Sequence, residues 1–149
     1  MSKQNIKNMT TKTTITIHTS IKAPIEKVWQ LWSNPADITK WCTASPDWHT
    51  TRAENDLRTG GKFLSRMEAK DGSFGFDFSG VYDLVKTHEQ MDYTLDDGRK
   101  VNITFAMQGN ETTITQTFEP ESENPIDMQR DGWQSILDSF KRYAEAQKG

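Results

Sequence analysis

Gln116 stands in the alternating run Thr112-Thr113-Ile114-Thr115-Gln116-Thr117-Phe118, at a position that shares its face with Ile114 and Phe118. A strand points successive side chains to opposite faces, so this amide enters apolar surroundings, where an unmet hydrogen bond costs about 1–3 kcal/mol. It must bond a neighbouring side chain, a buried water, or the carbonyl or hydroxyl of a guest molecule. Ser65, between Phe63 and Met67 on one face of another alternating run, poses the same question. Gln129 poses it from a helix with less force.

Other reactive groups lack the partners that chemistry requires. His18, His49 and His88 fall on an outward strand face, a loop and a turn, whereas a general base needs an orienting partner within reach. Cys42 follows Trp41 with only Lys40 nearby to lower its pKa, which reads as an inert thiol. Asp77 between Phe76 and Phe78 points outward; turned inward by a bulge it would become an acid or base, with no partner in sequence. There is no triad order, phosphate-cradling glycine loop or metal-ligand spacing. No catalytic residue, metal or cofactor is therefore assigned.

The elements that position these residues are well marked. Ile15, Ile17, Thr19 and Ile21 alternate as a first strand. Pro24 then suits a first helical position, with Glu26 in the first turn and Ile25, Val28, Trp29 and Trp32 as a short apolar face. Asn34 and Pro35 repeat that start signal for a second short helix that brings Ile38 and Trp41 inward. A strand in the second half of 43–56 leads to a bend at Gly60-Gly61. Asp71-Gly72, Asp97-Gly98 and Gly109-Asn110 mark hairpin turns, and Gly80 suggests a bulge or tight bend. About six antiparallel strands thus follow the short helices.

The chain closes with an amphipathic helix. Asn124 suits its N-cap and Pro125 its first residue, with Gln129, Trp133, Ile136, Leu137, Phe140 and Ala144 along one stripe. Strands and helices in separate runs define an α+β domain whose long helix lies across a strongly curved sheet. Gly132 within that helix costs about 1 kcal/mol relative to alanine, and is explained by close packing or by space left for a ligand.

A sheet gripping a helix can enclose an apolar cavity lined by inward strand positions. From the sheet the alternation nominates Phe63, Ser65, Met67, Phe76, Phe78 and Tyr93, then Ile103, Phe105, Gln116 and Phe118. The helix adds Gln129, Trp133, Leu137 and Phe140, and Trp41 and Trp48 form an exposed apolar rim or cavity mouth.

Composition narrows the partners. The 149 residues carry a net charge of −3, with 18 Lys and Arg scattered rather than striped, which argues against nucleic acid. Such a length can bury roughly two-thirds of its unfolded surface without metals or disulfides. The single cysteine allows no intramolecular disulfide and suits a reducing cytosol. Residues 1–12 lack a signal-peptide core and read as a disordered tail, leaving 13–149 as one domain. No run is long and apolar enough to span a membrane. The threonine-rich outer face of the last strand offers no apolar dimer surface, so a monomer is expected.

Taken in order, Ile21 to Trp32 (IKAPIEKVWQLW), Pro46 to Trp48 (PDW), Asn55 to Gly61 (NDLRTGG), Phe78 to Tyr82 (FSGVY), Asp97 to Val101 (DGRKV) and Gly132 to Leu137 (GWQSIL) resemble the START-like superfamily. That superfamily has the helix-grip fold, known also from the birch-pollen allergen. Within it the chain is similar to the family of the C-terminal domain of the activator of Hsp90 ATPase. The resemblance implies a cavity for a small apolar or amphipathic molecule between sheet and helix. It also implies two alternatives: a co-chaperone-like partner of an Hsp90-type ATPase, and a polyketide cyclase-like enzyme. The eukaryotic co-chaperone has a further N-terminal chaperone-binding domain, for which this length leaves no room.

Overall fold

The computed structural model describes residues 13–147; the expected tail at 1–12 lies outside them. One seven-stranded antiparallel sheet, in the order β1-β7-β6-β5-β4-β3-β2, curls around a long helix. β1 (Ile15–Ile21) is followed by α1 (Ile25–Ser33) and α2 (Pro35–Trp41). The meander β2 (Trp48–Asn55), β3 (Lys62–Ala69), β4 (Gly75–Lys86), β5 (Gln90–Leu95), β6 (Lys100–Gln108) and β7 (Glu111–Phe118) then leads to α3 (Ile126–Ala146). The two short helices carry the chain from β1 at one edge to β2 at the other, and the meander brings β7 back beside β1, with Gln116 opposite Ile17.

Local chemistry explains these boundaries. Asn34 caps α2 by accepting a hydrogen bond from the Ala36 amide at 3.2 Å, and Pro35 supplies a fixed φ at the first position. Pro24 and Pro125, expected inside their helices, stand one residue earlier, as extended caps with ψ of 156° and 147°. Asn124 is not the cap because the preceding loop uses it: Glu121 accepts from its backbone amide at 2.9 Å and from its side chain. Asp127 still meets the positive end of α3.

Gly80 does not make a bulge. The register shift in β4 falls between Tyr82 and Leu84, while Gly80 remains paired with Phe63 and Leu95. Its lack of a side chain serves close approach, since a Cβ there would lie 2.3 Å from the Thr94 carbonyl oxygen. The inner sheet face, α1, α2 and α3 share one core, in which Ile21, Val28, Ile114, Phe118, Leu137 and Phe140 are fully buried. On the outer face Thr16 and Thr117 hydroxyls pair at 3.0 Å across the β1–β7 seam. Among the described residues, no helix is long and apolar enough to cross a membrane.

Candidate functional site

The helix does not fill the curl of the sheet, and a cavity of about 650 Å³ remains between α3, α2 and strands β3, β4, β5 and β7. That size lies within the roughly 300–1,000 Å³ of small-molecule sites. An aromatic cluster backs part of its wall. Trp32 and Trp41 stack with centroids 4.7 Å apart, and Phe140 meets them edge-on at 4.8 and 4.9 Å. The Trp41 indole N–H donates to the Leu31 carbonyl at 2.9 Å, which satisfies its only donor and locks the ring.

Trp41 borders the cavity but is 4% exposed, so it does not belong to an exposed rim. Trp48, Phe76 and Met128 also border the cavity, with the Phe76 ring 6.0 Å from Trp48, and Phe74, outside the lining, packs edge-on against Trp48 at 6.0 Å. Among the described residues Phe74 and Met128 are the most exposed large apolar side chains, at 64% and 59%. Met128 escaped sequence reading because it falls off the buried stripe of α3.

Of the remaining residues nominated by sequence, Phe63, Ser65, Met67, Phe78 and Tyr93 border the cavity from β3, β4 and β5. Gln116 borders it from β7, and Gln129 and Trp133 from α3. Ile103, Phe105, Phe118, Leu137 and Phe140 lie behind that surface in the packed core, each 5% exposed or less. Phe118 is shut off because the Trp133 indole stacks flat upon it at 3.8 Å. Sequence periodicity identifies which residues point inward but not which of them another ring then covers.

The polar lining divides into engaged and unengaged groups. Gln129 uses its whole amide to fasten the loop before α3, accepting from the Glu121 amide at 2.9 Å and donating to the Glu121 and Asn124 carbonyls at 3.0 and 2.8 Å. Tyr82 donates to Asn55 at 2.6 Å, and Asn55 in turn donates to the Ser33 carbonyl at 2.7 Å. Arg99 pairs with Asp97 at 2.8 Å. By contrast Gln116, Ser65 and Tyr93 are 5%, 8% and 7% exposed, and their side-chain polar atoms have no hydrogen-bond partner among the described residues. These three supply buried donors and acceptors to the wall.

Burial sets the protonation of the lining. It pushes the Tyr93 and Tyr82 phenols upward, the Asn55 bond opposing it at Tyr82. Burial likewise raises the Cys42 thiol to about 11, against a smaller opposing effect of Thr50. All three are neutral near pH 7, and Cys42 is a poor nucleophile there. Asp77 points outward beside Arg66 at 3.3 Å and is 49% exposed, so it is not turned into the cavity. Among the described residues no group of His, Cys, Asp and Glu could hold a metal ion.

Gly132, on the cavity side of α3, has nothing within 4 Å of where a Cβ would stand. Close packing does not explain it. The missing side chain instead leaves the helix wall open beside Trp133.

A curled antiparallel sheet gripping a C-terminal helix, with two short helices after the first strand, defines a START-like helix-grip protein. Residues 22–145 match the model of the family described as activator of Hsp90 ATPase homolog 1-like protein, and the chain belongs to that family. It is similar to the AHSA1-like protein of Aeromonas hydrophila, at 44% identity and TM-score 0.85 over 90% of this chain and 93% of that one. A solved protein of Cytophaga hutchinsonii shares 54% identity, with TM-score 0.78 over 88% and 91%. A Chromobacterium violaceum protein at 24% identity shares the fold, with TM-score 0.81 over 91% and 99%. No curated protein matches the sequence.

Proposed function

We propose that the protein binds a small apolar or amphipathic molecule, without catalysis, in the cavity between the sheet and α3. The observation that carries this reading is the unfilled 650 Å³ space whose wall holds the unpartnered Gln116, Ser65 and Tyr93 side chains. A protein evolved only for stability gains by filling such a space, since an unfilled cavity costs free energy. The site contains an apolar body of aromatic rings and a few polar points to orient a guest. Its carboxylates are engaged elsewhere, Glu54 with Arg52 at 3.6 Å and Glu121 with the Asn124 amide at 2.9 Å, while the buried Gln116, Ser65 and Tyr93 are neutral, which favours carriage or sensing over a cyclase-like reaction.

Native mass spectrometry of gently purified protein, compared with the same sample after denaturation, tests the reading. A reproducible mass excess that leaves on unfolding supports it and identifies the guest. If no excess appears and no apolar compound shifts tryptophan emission, the reading fails. The family match supports a second reading, a co-chaperone-like contact with an Hsp90-type ATPase. An unchanged ATPase rate on stoichiometric addition to the host's chaperone would remove it.

A further inference from the structure

We infer that the guest is an uncharged molecule bearing a hydroxyl or carbonyl group, and that Gln116 receives that group. The inference rests on the cavity-binding reading and adds the guest's chemical class. Gln116 is set among hydrocarbon: Ile114 and Phe118 flank it on its own face, and Ile17 and Ile103 stand opposite it on β1 and β6. Its amide offers two donors and an acceptor, which match a hydroxyl or a carbonyl. No cation stands among these four neighbours to compensate a carboxylate. An unpaired buried charge takes up a proton or stays in water.

Elsewhere the lining is no more hospitable to an anion. Arg99 borders the cavity but is paired with Asp97 at 2.8 Å. Glu121, held ionised by its bonds to Asn124 and Glu123, also feels the Arg99 charge, and Glu54 adds another carboxylate to the border. Cationic guests gain nothing at Gln116, whose neighbours carry no negative charge. Tyr93 and Ser65 add protonated hydroxyls able to donate or accept, Tyr93 within the field of the Asp97-paired Arg99.

The test is calorimetric titration of the full chain with three probes that share one body: cyclohexylbenzene, 4-cyclohexylphenol and 4-cyclohexylbenzoate, at pH 7.5. The phenol should bind about tenfold more tightly than either other probe, the difference one well-made buried hydrogen bond supplies. Gln116→Leu should abolish the preference of phenol over hydrocarbon; Gln116→Met, checked for native circular dichroism, serves if the leucine variant does not fold. Equal or tighter binding of the benzoate would overturn the inference, as would a preference that survives the substitutions. Binding of the hydrocarbon without any preference refutes the inference and leaves the cavity reading standing. Failure of all three probes to bind folded protein would overturn both.

Discussion

The indole of Trp133 lies on the ring of Phe118, with centroids 3.8 Å apart and planes 8° from parallel. This stack ties α3 to β7, and Phe78 meets the other side of the system edge-on to Trp133 at 5.9 Å. One ring therefore belongs both to the joint between helix and sheet and to the cavity wall. Phe118→Ala should cost about 3–5 kcal/mol in urea denaturation. A double-mutant cycle with Trp133→Ala should show a coupling of about 0.5–1.5 kcal/mol. Additive effects would mean that the stack contributes only through burial.

Gly132 should tolerate a methyl group, because nothing lies within 4 Å of the added Cβ. Gly132→Ala is expected to raise stability by about 0.5–1 kcal/mol through helix propensity. Gly132→Leu places a larger group at the border of the cavity and should weaken uptake of 4-cyclohexylphenol while the thermal midpoint holds. A destabilised alanine variant would show that the position is packed after all.

Gly80 makes the opposite prediction. Its added Cβ would stand 2.3 Å from a backbone carbonyl that cannot rotate away, so Gly80→Ala must separate β4 from β5. A loss of about 1–3 kcal/mol is expected, read from chemical denaturation. An unchanged midpoint would contradict the assigned contact.

Alkaline pH should unfold the protein earlier than exposed thiols and phenols would. Burial raises the Cys42 thiol from 9.0 to about 11 and raises Tyr82 and Tyr93 also, so the folded state keeps protons that the unfolded chain has released. Stability supplied by these neutral groups is intact below about pH 9 and falls as pH rises through the folded value near 11. Thermal melts between pH 7 and 11 should slope downward above 9, and a flat profile would contradict this. Alkylation of Cys42 by iodoacetamide at pH 8 should be slow until denaturant is added.

Much of the frame was legible in the sequence because each element carries its own signal. Alternation in 13–21 and 111–118 gave β1 and β7 and the inward place of Gln116, and Asn34-Pro35 gave the start of α2. What could not be read depends on contacts between distant segments. Trp41 looked like rim because it ends a short helix; it is buried because Trp32 and Phe140 converge on it. Gln129 and Gln116 look alike as polar residues on apolar faces, yet a loop folds back to satisfy the first and no described residue bonds the second. Gly80 showed its lack of side chain but not whether curvature or close approach required it.

We place the guest inside the sheet's curl with its polar group at Gln116. Two-dimensional ¹H–¹⁵N NMR of the labelled chain titrated with 4-cyclohexylphenol tests it most directly. The Gln116 side-chain amide and the Trp133 and Trp48 indole N–H signals should shift together and saturably, while the amides of Thr113, Thr115 and Thr117 move far less. Shifts confined to the outer face, or an unmoved Gln116 amide under saturating probe, would contradict the account.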